Sequence, residues 1–121
     1  MNQERKKEER TEENKFFSSL IKKPTNEYIL TNFANIPNQL KQDFLKKLTH
    51  YKYVDELDAL EAGTYIRWVC TKPRNANFVL ARGAIFCEVV LDEKGLMCVC
   101  KNFNQAYFKL DLASHLIFQK L

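Results

Sequence analysis

The chain is short of the residues that most often announce chemistry: it has three glycines, two histidines and one tryptophan among 121 residues. With glycine confined to Gly63, Gly83 and Gly95, no glycine-rich phosphate loop can be drawn. Serine occurs only at Ser18, Ser19 and Ser114, none in a nucleophile-elbow setting. His50 falls at an expected helix end and His115 in an expected turn, neither beside an acidic or cysteine partner, so both read as capping or solvated side chains. The carboxylate pairs Asp55/Glu56 and Asp92/Glu93 are adjacent in sequence and point apart in any regular element. No run approaches the roughly 18 apolar residues of a membrane span. The opening MNQERKKEER has no apolar stretch of the signal-peptide kind. These absences lead to the expectation of a soluble, intracellular, non-enzymatic protein without a cofactor, a metal or membrane insertion.

What is present suffices for one domain, with 45% hydrophobic and 28% charged residues. The net charge of +4, from 19 Lys and Arg against 15 Asp and Glu, only weakly favours acidic partners. It is unevenly spread. Residues 1–15 balance Arg5, Lys6, Lys7, Arg10 and Lys15 against Glu4, Glu8, Glu9, Glu12 and Glu13. Residues 16–55 set Lys22, Lys23, Lys41, Lys46, Lys47 and Lys52 against Glu27, Asp43 and Asp55. The remainder is nearly neutral, and all three glycines fall there, where turns between strands need them. The chain therefore divides into a charged helical arm (1–24), a helical segment packing on the rest (25–55) and a β unit (56–121).

The arm consists of good helix formers without Gly or Pro until Pro24. Phe16, Phe17, Leu20 and Ile21 gather at its end as an apolar patch, which either packs on the protein's own core or docks on a protein partner. A second helix follows Asn35-Ile36-Pro37, carrying Leu40, Phe44, Leu45 and Leu48 on one face and Lys41, Lys46 and Lys47 on the outer one. Residues 27–33 have neither clean period and are read as a short helix.

From residue 60 the period shortens to two. Ile66, Trp68 and Cys70 share one face of a strand and Tyr65, Arg67 and Val69 the other. A polar loop at 72–77 leads to Phe78-Val79-Leu80, and the strongest strand runs from Ala84 to Leu91. Asp92-Glu93-Lys94-Gly95 makes a hairpin back into Leu96–Lys101, and a last pair covers 106–110 and 116–121. Short strands this close together leave no room for crossover helices, so the fold expected is α+β, with N-terminal helices before a small antiparallel five-stranded β-barrel.

Four cysteines suggest zinc, but Cys70 and Cys87 stand alone and Cys98-Val99-Cys100 lacks a two-residue loop between its thiols. The hairpin register expected from the turn sets Leu91 opposite Leu96, Val89 opposite Cys98 and Cys87 opposite Cys100, on one face with Ile85. The cysteines are read as buried core, with zinc and a Cys87–Cys100 disulfide as the alternatives.

Small barrels bind single strands by stacking bases on aromatics beside cations. Tyr65, Arg67, Lys72, Arg74, Tyr107 and Lys109 fit that pattern, and Tyr51-Lys52-Tyr53 adds a similar trio. Nucleic acid is therefore the alternative partner.

Residues 60–68 (LEAGTYIRW), residues 80–85 (LARGAI) and residues 115–120 (HLIFQK) together resemble small Tudor-like barrel proteins of large nucleocytoplasmic DNA viruses, over about residues 57–121. In that group a Gly-Thr/Met-Tyr-Ile-Arg strand opens the barrel and a glycine pair starts the next; here Arg82 stands in place of the first glycine. The resemblance implies a viral setting, such as a minor capsid or other virion component with capsid or other viral proteins as partners, and no catalytic residues. The leading expectation is a structural or protein-interaction protein that docks through Phe16, Phe17, Leu20 and Ile21.

Overall fold

A computed structural model describes residues 25–121, so the arm over 1–24 and its Phe16, Phe17, Leu20 and Ile21 lie outside the described residues. The described chain begins at a helix cap. The Thr25 hydroxyl accepts the Tyr28 N–H at 3.1 Å and starts α1 (Asn26–Phe33). Asn35, in the left-handed region at φ 52°, reverses the chain, and Pro37 leads into α2 (Asn38–Lys47). Both helices match the sequence reading. Lys41 does not take the outer face: it is buried, its Nζ donating to Thr31 Oγ1 at 3.0 Å and lying 3.7 Å from Glu27. A lysine stem here fills the seam between two short helices, and its ammonium reaches Thr31 and Glu27 on α1.

Six strands follow, all paired antiparallel: β1 (Tyr51–Tyr53), β2 (Tyr65–Cys70), β3 (Ala84–Asp92), β4 (Gly95–Lys101), β5 (Tyr107–Asp111) and β6 (His115–Lys120). Their order across the sheet is β1-β6-β2-β3-β4-β5. The expected five-stranded barrel is corrected on both counts. Tyr51–Tyr53 contributes a sixth strand, so the sheet reaches back across residue 55, and β1 and β5 remain as edges of a sheet that does not close. The extra strand went unread because three residues give too short a period to detect. Phe78-Val79-Leu80 supplies only a single bridge, Leu80 to Val69.

The sheet coils strongly. Trp68 on β2 and Phe108 on β5 lie 5.6 Å apart, although two strands separate them in the pairing order. Two devices produce the bend. Gly83 precedes β3 with φ 116°, and a bulge between Phe86 and Glu88 gives β3 one extra residue at Cys87. The bulge also corrects the expected register. Leu91–Leu96 and Val89–Cys98 are opposite as read, but Phe86, not Cys87, faces Cys100. Cys87 is thereby displaced from the core face and Ile85 is left 39% exposed.

Two buried clusters share the sheet. Inside the coil lie Ile66, Ala84, Phe86, Cys98, Cys100, Leu110 and Ile117; on the outside, under the helices, Ile29, Leu30, Phe44 and Leu48 pack on Val69, Leu116 and Phe118. Each fully buried aliphatic contributes on the order of 1.5–3 kcal/mol relative to exposure. Among the described residues no helix is long and apolar enough to cross a membrane.

The Asn26 side chain joins helix to sheet. Its Nδ2 donates to the Tyr51 carbonyl at 2.9 Å and its Oδ1 accepts the Tyr53 N–H at 3.2 Å, so one amide takes the place a neighbouring strand would occupy on the β1 edge. Asn26→Ala leaves both β1 groups unpaired and is expected to cost about 1–3 kcal/mol. That corresponds to roughly 4–8 °C in Tm per kcal/mol for a domain of this size, read by thermal denaturation. An unchanged Tm would show that water replaces the amide without loss.

Candidate binding face of the sheet

Among the described residues the outer face divides into a half covered by the helices and a half that no element covers. Across the open half the register draws one line through neighbouring strands: Tyr65 on β2 opposite Ile85 on β3, Ile85 opposite Lys101 on β4, and Lys101 opposite Tyr107 on β5. On the other side of β2, Ile66 faces Gln119 and Tyr51 faces Lys120, so the line continues through Lys120 to Tyr51. Phe103, from the β4–β5 loop, sets its ring 5.8 Å from that of Tyr65. Lys101 Nζ lies 5.9 Å from the centre of the Tyr107 ring. Phe103 is 72% exposed and Tyr107 67% exposed, so these rings face solvent.

The loop that presents Phe103 is braced. Asn102 Oδ1 accepts the N–H groups of Asn104 and Ala106 at 2.9 and 3.0 Å, the Asn102 N–H donates to the Ala106 carbonyl, and Gln105 sits at φ 65°. Tyr65 is braced from below by Gly83, where an added Cβ would come within 2.6 Å of both the Tyr65 ring and the Ile66 carbonyl. Arg67 lies one step along the same face, its Nε donating to the Ala81 carbonyl at 2.8 Å. At the covered end, burial pushes the Tyr51 and Tyr53 hydroxyls up, with the Arg67 charge drawing Tyr51 partly back. Both stay neutral hydrogen-bonding groups in the physiological range.

Of the residues proposed from sequence for nucleic acid, the structure brings together Tyr65, Arg67 and Tyr107 and separates the others. Lys72 and Arg74 lie beyond the opposite end of β2, where Arg74 opens a single 3₁₀ turn, Arg74–Ala76. Lys109 lies on the open face, but its Nζ is 3.5 Å from the Asp92 carboxylate, which offsets its charge. Lys101, Lys120 and Phe103 were missed. The two lysines join the line only through strand register, and Phe103 joins it only through its loop, so their spacing in sequence carries no sign of it.

The groups considered for other chemistry are dispersed. Cys98 and Cys100 are fully buried with their Sγ atoms 3.6 Å apart, and the contact with Cys98 together with burial pushes the Cys100 thiol up, as expected of core cysteines. All four cysteines are free, Cys70 and Cys87 being half-buried, so the Cys87–Cys100 disulfide is absent. Among the described residues no group of three or more His, Cys, Asp and Glu side chains could hold a metal ion. His50 is exposed, and His115 Nδ1 lies 2.7 Å from the Asp111 carbonyl, positioned to donate within its turn. A cleft of about 280 Å³ beside β1 is lined by Lys52, Asp55, Glu56 and Gln119 among others, with no histidine, cysteine or serine in its wall.

Comparison with known proteins returns no family model, no curated protein and no solved structure that matches this chain.

The bracing of Tyr65 gives a test. Gly83 and Gly95 both sit at positive φ, at 116° and 112°, but only Gly83 has a neighbour within contact of a Cβ. Gly83→Ala is expected to cost well above the roughly 1 kcal/mol scale of a compatible glycine substitution, and more than Gly95→Ala, while displacing the Tyr65 ring. Denaturant unfolding and the Tyr65 ring resonances check this. Equal losses for the two variants would show that Tyr65 is not held by the close approach.

Proposed function

We propose that this chain is a non-enzymatic interaction protein whose recognition surface is the open half of the sheet's outer face. The observation that supports this is the contiguity of Tyr65, Ile85, Phe103 and Tyr107, brought from three strands and a braced loop to one solvent-facing line. Scattered exposed apolar residues are ordinary on any surface; a row of them, held rigid from behind, marks an interaction site. Rigid aromatics also lose little conformational freedom on binding, which is why they serve as anchors.

In this reading the helices do not compete for the same surface, because they cover the other half of the outer face. Phe16, Phe17, Leu20 and Ile21, which lie outside the described residues, form a second docking element for a protein partner. A virion setting belongs to this reading only through the sequence resemblance over about residues 57–121.

A photo-reactive phenylalanine analogue at position 103 of the full chain tests the reading. In extracts of the source cells it is expected to give discrete adducts that excess unlabelled protein competes away and a Tyr107→Ala, Ile85→Ser double variant does not. The same analogue at Gln42, on the exposed face of α2, should give none. Adducts that form equally at both positions, or that the double variant competes equally well, would contradict a binding site on this face.

A further inference from the structure

We propose that the partner of this face is single-stranded nucleic acid, its bases stacking on Tyr65, Phe103 and Tyr107 and its phosphates meeting Lys101, Lys120 and Arg67. The inference rests on the proposed binding face and names its ligand.

Charge selects between ligands that aromatics alone would admit. The line through the open face intersperses cations with its apolar side chains: Lys120 between Tyr51 and Tyr65, and Lys101 between Ile85 and Tyr107, with Arg67 alongside. None of these three cations forms an ion pair with another described residue, whereas Lys41, Lys47 and Lys109 do. The line itself contains no carboxylate; Glu88 lies one step along β3, opposite Val99. An apolar protein partner would have to desolvate those cations at a cost, while a phosphodiester backbone neutralises them and releases its own counterions.

Dimensions agree with the same ligand. Adjacent strands lie about 4.8 Å apart, so the path from β2 to β5 spans roughly 14 Å. That is the scale on which sheet-borne aromatics receive two or three unstacked bases. The half-exposed Ile85 lies between the tyrosines in the line, an apolar floor rather than an obstruction. A duplex presents its bases only at groove edges and cannot use ring faces standing on a sheet, so the geometry selects single strands.

The test is fluorescence anisotropy of the full chain with labelled dT12 and U12 oligonucleotides and a duplex of the same length, at low and moderate salt. Saturable binding of the single strands is expected, weakening as salt rises, with the duplex bound less tightly. Phe103→Ala and Tyr107→Ala should each weaken binding about fivefold or more, as loss of one stacked base does. Lys101→Gln and Lys120→Gln should each flatten the logarithmic salt slope by about 0.7. Lys72→Gln, at the far end of β2, should change neither. All the substituted side chains except Lys101 are exposed, and a Tm equal to that of the unsubstituted chain confirms that each variant is folded. Duplex bound as tightly as single strands, or losses in Lys72→Gln equal to those in the line, would overturn the proposal. So would an absence of binding at low salt. If oligonucleotides fail while position 103 still gives competable, nuclease-resistant adducts, the ligand is wrong and the binding face stands; if both fail, the face itself is wrong.

Discussion

The fold depends on β6 being buried on both faces. Leu116 and Phe118 point outward into the cluster beneath α1 and α2, while Ile117 between them points into the coil with Ile66, Phe86 and Cys98. Three consecutive apolar residues would break the alternation of a half-exposed strand. Here they are required, because β6 is the wall shared by two cores. It also pairs with β1 on one side and β2 on the other, so the helical segment and the meander are joined through its backbone as well as its side chains. Neither cluster is large, and a domain of about a hundred residues is stabilised by only a few kcal/mol net, so each has need of the other.

That arrangement explains why half the outer face is open. The helices are short, eight and ten residues, and they cover the sheet where Val69, Leu116 and Phe118 require cover. Beyond β2 the outer face carries Glu88, Val99, Lys101 and Lys109 and can stand in water. Against this polar background the exposed Ile85, Phe103 and Tyr107 are out of place as folding residues. None of the three belongs to either core cluster, and a braced loop presents Phe103. The bulge at Cys87 links the two aspects: it bends β3 to close the inner core, and it sets the register that aligns Ile85 with Lys101.

Much of this was legible in the sequence and part was not, for identifiable reasons. The helices could be read because Leu40, Phe44 and Leu48 keep a clear period and Pro37 marks an entry. The meander could be read because glycine-bearing turns and alternating strands are local signals. Strand β1 could not, since its pairing partner lies some seventy residues away and its edge is completed by a helix side chain, Asn26. The bulge could not either: Ile85 to Leu91 alternates on paper, and only packing decides which residue is extruded. Of the six residues first chosen for nucleic acid, the fold gathers three, for the same reason. Tyr65, Arg67 and Tyr107 were picked by type, but register, which assembles the line and brings in Lys101 and Lys120 while leaving Lys72 and Arg74 aside, is a property of the folded sheet.

Hydrogen exchange of the β6 and β4 amides, in the unsubstituted chain and in Leu48→Ala, tests the shared-wall account most directly. Leu48 belongs to the helical cluster and not to the inner one. If the two cores form one cooperative unit, the amides of Leu116, Ile117 and Phe118 exchange only by global unfolding. Leu48→Ala then lowers protection at Cys98 and Cys100 by the same free energy it removes from α1, on the order of 2–5 kcal/mol. Protection at Cys98 and Cys100 that stays unchanged while α1 and α2 become labile would show two independent units, and would contradict the claim that β6 binds the fold together.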